Sequence, residues 1–180
     1  MTRPVFLAED LSCVPSSLAV GERATLGGSE GRHAASVRRI GAGEWGDVAD
    51  GRGLRPTCEV VGADKSSLSL VVREVVQEES PRPEIILVQA LAKGGRYEAA
   101  VEICTEIGID RVSPWASQRA IVQWRGPKAE KGRAKWEGVV RAAAKQSRRA
   151  YVPVVEAVTD SRELASWVRA LTDEAGVAFV

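Results

Sequence analysis

A polar, proline-bearing stretch, QEESPRPE from Gln77 to Glu84, divides this chain into two parts whose apolar residues repeat with different periods. Pro81 and Pro83 remove backbone donors and impose extended geometry, so a domain boundary is placed there. Before it, apolar residues alternate in short runs: Leu18 and Val20, Ala24 and Leu26, then Leu68, Leu70 and Val72. The breaks are turn formers, Gly27-Gly28, Gly41-Ala42-Gly43, Asp50-Gly51 and Ala63-Asp64-Lys65, and Asp-Gly between apolar runs signals a hairpin. One helix interrupts, with Ser29 as its N-cap and Gly41 as its stop. Short strands around a single helix predict a small β-barrel over residues 1–80.

After the boundary the period changes. Ile85 to Ala92 (IILVQALA) is nearly continuously apolar, as in a strand buried on both faces. Lys93-Gly94-Gly95 then turns the chain into a helix from Arg96 to Ile107, and a strand runs from Ile109 to Trp115. Strand, glycine turn, helix and strand form a βαβ unit, so residues 81–180 read as an α/β domain. A third strand is expected over Ala120–Trp124. A basic helix follows from Lys128 to Arg148, burying Trp136, Val139, Val140, Ala143 and Ser147 and turning Arg141, Lys145 and Arg148 to another face. Val152–Val155 reads as an edge strand. Thr159 or Asp160 caps a last helix with Leu164, Trp167, Val168 and Leu171 inward, ended by Gly176. Val177–Val180 reads as the opening of a central strand, so the α/β domain is expected to be incomplete in this chain.

The net charge of +1 hides a polarised distribution. Between Lys128 and Arg149 the net charge is +6, against −5 over the rest. Such a local field suits phosphates, although a charge run taken alone is more often the solvated face of a helix. No stretch approaches the ~18 apolar residues of a membrane span, and the N-terminus lacks a signal sequence. The 3 cysteines are scattered and there is 1 histidine, which argues against a zinc site or a disulfide framework and for a reducing cytoplasm.

Candidate chemistry is sparse. Lys93-Gly94-Gly95-Arg96 lies at the carboxyl end of a strand and the head of a helix, where free amides and the helix dipole bind anions; a tight turn is the plain alternative. Glu98, Glu102 and Glu106 share one helix face, either an exposed row or the source of a general base. His33 sits inside a helix beside Arg32, Arg38 and Arg39, a placement that suits solvent or RNA better than a hydrolytic triad. A phosphate-ester hydrolase using Lys93-Gly94-Gly95 would need clustered acids for a metal, which Asp110 and Glu98 alone do not supply.

Three segments in order, HAASVRRIGAGEWGDVADG, LVQALAKGGRYEAAVEICTEIGIDRVSPWASQRAIVQW and KWEGVVRAAAKQSRRAYVP, resemble the ribosomal RNA small subunit methyltransferase E family. The resemblance runs from Arg3 to about Val155, and AAKQSRRAYVP is most similar to the actinobacterial branch. It implies a PUA-like barrel, then a trefoil-knotted SPOUT methyltransferase domain, acting as a cytoplasmic homodimer without a metal. The implied reaction is S-adenosylmethionine-dependent methylation of uridine N3 in 16S ribosomal RNA. By matching position, Arg3, His33, Arg38 and Arg39 fall in RNA-contacting motifs. Lys93, Arg96, Glu98 and Glu106 fall in the first methyltransferase motif, Arg119 in the loop ASQRA, and Gln146, Ser147 and Arg148 in the helix-ending motif.

From these matches Arg96, Glu98 and Arg119 are the catalytic candidates. Arg3, His33, Arg38, Arg39, Lys93, Arg141, Lys145, Gln146 and Arg148 are the RNA-binding candidates. Arg38 stands where the family usually has leucine, and Lys145 and Arg148 replace a commoner Glu and Gly. The family's glycine-rich GPEGG and LR-x-ET-A segments, which cradle the cofactor, are not in the chain. The cofactor pocket is therefore expected beyond residue 180 and this form is expected to be inactive. A non-catalytic RNA-binding protein with a degenerate α/β domain is the alternative.

Overall fold

The computed structural model describes residues 3–13 and 17–175, which divide into two compact units. The first comprises the chain up to Pro81 together with Ala144–Val152; the second comprises Arg82–Ala143 and the chain from Pro153.

In the first unit, β1 (Val5–Leu7), β2 (Arg23–Leu26), β3 (Trp45–Ala49), β4 (Leu54–Ala63) and β5 (Leu68–Gln77) form one sheet in the order β1-β3-β4-β5-β2. The β1–β3 pair is parallel and the others antiparallel. Two of the predicted turns, at Asp50 and at Asp64, are made by an aspartate that accepts its own loop's amides. Asp50 Oδ1 takes the N–H groups of Arg52 and Leu54, and Asp64 Oδ1 those of Ser66 and Ser67. The alternation of Leu68, Leu70 and Val72 sends all three into a core with Phe6, Leu26, Ala34, Val48 and Val60. Two register shifts in β4 increase the curl of the sheet.

The expected closed barrel is not formed. β1 is three residues long and β2 four, and β2 is met from that side by the isolated bridge of Leu11 to Leu26 and the Thr25 amide's hydrogen bond to the Ser12 hydroxyl, with no strand pairing among the described residues. Such short edge strands curl the sheet into a half-barrel without closing it. Leu18 and Val20 form no strand; Leu18 is buried, Val20 is exposed, and Ala19 N–H turns onto Glu22. The helix α1 (Gly28–Arg32) starts after Gly27 with no side-chain cap, and not at Ser29. It continues as a π-helical turn, His33–Val37.

Residues 144–152, expected within the α/β domain, belong to the first unit. Ala150 is buried, Tyr151 donates its hydroxyl to the Glu78 carbonyl at 2.8 Å, and Val152 packs on Val5, Leu7 and Ala49. Gly53 leaves the room for this, since a Cβ there would lie 2.4 Å from the Tyr151 hydroxyl.

In the second unit, β6 (Ile86–Ala90), α2 (Arg96–Ile107) and β7 (Arg111–Ala116) form the expected parallel βαβ unit, and Gly108 ends α2 in the left-handed conformation. β7 also pairs in parallel with β8 (Val154–Val155) and β9 (Thr159–Asp160). α3 (Pro127–Gln146) and α4 (Ser161–Ala175) complete the unit, the last turn of α3 belonging to the first. β6 is half-buried throughout, not buried on both faces, because among the described residues only β7 pairs with it.

The expected strand at Ala120–Trp124 is a loop. Gln123 donates its side-chain amide to the Ala120 carbonyl at 2.8 Å, closing a turn, and Trp124 packs against Tyr97 and Trp136. Gly132 of α3 makes room for that indole, since a Cβ would come within 2.5 Å of it. At α4 the sequence signal holds: Asp160 Oδ1 accepts the amides of Arg162 and Glu163 while Glu163 Oε2 accepts that of Asp160, a reciprocal capping box. Gly176 and Val177–Val180 lie outside the described residues. Among the described residues no helix is long and apolar enough to cross a membrane.

Candidate functional site

β6 and β7 run parallel in register, Ala90 opposite Trp115, so the loops that follow them leave the same edge of the sheet. The first loop is Lys93-Gly94-Gly95-Arg96 and the second is Ser117–Gly126, which carries Arg119. Carboxyl-terminal strand edges are where open α/β sheets hold their ligands. Gly94 and Gly95 have φ of +78° and +73°, a conformation glycine adopts without strain, and Gly95 is the N-cap of α2. Lys93, Arg96 and Arg119 are exposed there.

The glutamate row of α2 does not behave as one face. Glu102 and Glu106 are exposed, but the Glu98 side chain is only 13% exposed. Glu98 Oε1 is ion-paired with Lys135 of α3, and Oε2 is buried without a hydrogen-bond partner. The pair holds the Lys135 ammonium above the usual lysine range, the hydrogen bond it donates to Glu98 being the main cause. A shielded, paired carboxylate is poorly placed to collect a proton from a large substrate, and it lies 3.2 Å from where a Cβ on Gly95 would sit. Glu98 therefore ties the first turn of α2 to α3.

Beside the second loop lies a cavity of about 460 Å³, bordered by Ser117, Gln118, Gln123, Arg125 and Asp160. Its size is that of a small-molecule site, on the order of 300–1,000 Å³. Its acids, Asp160 and Glu163, are committed to the capping box. Both carboxylates bordering this cavity are thus engaged at the head of α4. None of these lining residues except Asp160 was singled out from the sequence, because a loop stabilised by one buried tryptophan has no periodicity to read.

In the first unit, Arg32, Arg38 and Arg39 are exposed and His33 is half-buried. Arg3 pairs at 3.1 Å with the buried Asp47, whose Oδ1 also accepts the Thr57 hydroxyl, so its charge is matched within the unit. The expected solvent-facing stripe of Arg141, Lys145 and Arg148 is not found. Arg141 and Lys145 are half-buried, and Lys145 Nζ lies 2.7 and 2.8 Å from the two Glu30 oxygens and 5.7 Å above the Phe6 ring. Lys145 is thus a structural cation. Gln146 and Arg148 are exposed, and Arg148 has φ of +59° just past the end of α3. Burial, then the Asp47 charge, pushes the Cys58 thiol up to about 11, which makes it a core residue and not a nucleophile. Among the described residues no group of three or more His, Cys, Asp or Glu could hold a metal ion.

Comparison with known proteins places the chain in a family. The RNA methyltransferase domain family matches residues 78–178. The chain is 40% identical over 149 residues to ribosomal RNA small subunit methyltransferase E of Mycobacterium bovis, covering 83% of this chain and 57% of that protein. It is 28% identical over 141 residues to the Bacillus subtilis protein of the same name, covering 78% and 55%. The chain thus spans little more than half the length of these relatives. Among solved structures, the Neisseria gonorrhoeae ribosomal RNA small subunit methyltransferase E bound to S-adenosyl methionine superposes with a TM-score of 0.75 at 26% identity, covering 91% of this chain and 65% of that one. Fold, loop placement and sequence agree: the chain belongs to the RNA methyltransferase family represented by ribosomal RNA small subunit methyltransferase E.

Proposed function

We propose that the protein transfers a methyl group from S-adenosylmethionine to N3 of a uridine in 16S ribosomal RNA, in the cytoplasm and as a homodimer. The observation that carries this reading is the shared carboxyl-terminal edge of β6 and β7, which presents Arg96 and Arg119 from neighbouring loops. The half-barrel of the first unit is read as a PUA-like RNA-binding module, and the second unit as part of a knotted SPOUT domain.

The methyl donor supplies an electrophilic carbon on a sulfonium. The residues of this chain bind and orient the nucleotide and stabilise charge on it. Uridine N3 carries a proton and is buried in base pairs, so the base is first extruded, as enzymes acting on bases require. As N3 gives that proton up to solvent, negative charge spreads to the uracil O2 and O4 until the methyl group is received. Arg96 and Arg119 stay protonated at any physiological pH and suit those oxygens. Glu98 and Lys135 act indirectly, by fixing the turn that carries Arg96.

Incubating the protein with donor carrying a labelled methyl group and small ribosomal subunits that lack the modification tests this. Label is expected on uridine N3, where it stops reverse transcription. Arg119→Gln should lower kcat by roughly 10²-fold or more while RNA affinity is kept. Label on another atom, or an Arg119→Gln enzyme of unchanged kcat, overturns the assignment.

A further inference from the structure

We propose that the tip of the β4–β5 hairpin, Asp64–Ser67 with Lys65 at its apex, is part of a phosphate-contacting surface continuous with the helical turn Arg32–Arg39. This rests on the RNA reading above and extends it to an element with no assigned role. The first observation is where the unmatched cations lie. Arg3, Arg55, Arg73 and Lys145 of this unit are each paired with a carboxylate. Arg32, Arg38, Arg39 and Lys65 are exposed and, among the described residues, have no carboxylate within ion-pair distance, as is also true of Arg23 on β2 and Arg52 in the β3–β4 turn. The acids nearest in the chain are occupied: Asp64 holds the amides of Ser66 and Ser67, Glu30 holds Lys145, and Glu44 accepts the Gly41 amide.

The second observation is that tip and helical turn are one rigid piece. The Ser36 hydroxyl donates to the Lys65 carbonyl at 2.6 Å. Gly31 packs so closely that a Cβ would fall 2.7 Å from the Ser66 carbonyl oxygen. Lys65 is therefore held beside the Arg32–Arg39 turn by backbone contacts and not by chance of rotamer. The third observation is Arg39, which has φ of +55°. The conformation is needed there, since the π-helical turn must exit sharply to place the buried Ile40, whose amide returns to the Ala34 carbonyl at 3.1 Å. Glycine adopts it freely, and an arginine retained under strain points to function at that position. Exposed cations on two locked elements, without internal partners, suit a row of phosphates and not a neutral ligand.

The test is binding of the full chain to a fragment of small-subunit ribosomal RNA across a range of salt. Lys65→Gln should flatten the log–log slope by about 0.7–0.9, one phosphate's share, and Lys65→Arg should restore it. Arg39→Gly should melt at the same or a higher temperature yet bind more weakly, a combination that a purely structural role would not produce. Arg73→Gln, on the body of the same hairpin and already paired, should leave the slope unchanged. If Arg38→Gln with Arg39→Gln flattens the slope and Lys65→Gln does not, the tip lies outside the surface and the proposal fails while the RNA reading stands. If the unmodified chain binds RNA with no salt dependence, both fall.

Discussion

Two cations at the end of α3 have opposite physical meanings. The partner of Lys145 is Glu30, whose Oε2 also accepts the Leu7 amide at 3.3 Å. Lys145→Glu would set two carboxylates against each other in a half-buried place and should cost roughly 1–3 kcal/mol of stability, between the values for exposed and buried pairs. Combining it with Glu30→Lys should recover part of that loss in urea denaturation; if the double variant is no more stable than Lys145→Glu alone, the pair is not the reason for the lysine. Arg148 has φ of +59°, a conformation that glycine adopts at less cost. The Arg149 amide returns to the Ala144 carbonyl at 2.8 Å, the closing bond of a Schellman end with Arg148 at the left-handed position. Arg148→Gly should therefore gain up to about 1 kcal/mol, strain relief outweighing the freer unfolded chain. A loss of that size in thermal melts would show that the arginine's own contacts dominate.

Among the elements, helices with end signals were legible and strands without neighbours were not. α2 spans Arg96 to Ile107 as its glycines suggest, because Gly95 and Gly108 both take the left-handed conformation that only glycine enters cheaply. α4 starts at a capping box that reads directly as Asp160-x-x-Glu163. Asp160→Ala should cost about 1 kcal/mol. Hydrogen exchange should quicken first in the opening turn of α4; unchanged protection there would remove the cap from the account. Ala120–Trp124 shows the opposite case. Its apolar residues suggest a strand, yet Trp124 is taken up by the Tyr97–Trp136 cluster, with ring centroids 6.4 and 5.1 Å away. The burial is real, and the partner is a helix pair and not a sheet.

At the scale of the whole chain, the first unit is discontinuous. Ala150, Tyr151 and Val152 fill places in it that residues before Pro81 leave open. A fragment of residues 1–81 should consequently be much less stable than the same fragment supplied with a peptide of residues 144–152. Equal melting curves with and without the peptide would show that the segment is an ornament on a self-sufficient module. The same discontinuity places Lys145, Gln146 and Arg148 in the first unit, so one helix contributes to both.

Sequence alone determined what depends on near neighbours in the chain: the boundary at Pro81 and Pro83, the aspartate turns, the βαβ order, both ends of α2 and the cap of α4. Each follows from a residue whose backbone preference or short side chain acts within a few positions. It also held the family resemblance, carried by long motifs whose polar positions have no local reason. Only the tertiary structure decided which charges are free. Arg3, Lys145 and Glu98 read from sequence like Arg38, Arg119 and Glu102, but the first three find partners at 44, 115 and 37 residues' separation, and the others remain exposed. Such pairing depends on register and crossing between distant segments, for which no single stretch of sequence carries a signal. The same holds for the open edge of the half-barrel, where β1 and β2 are too short to meet.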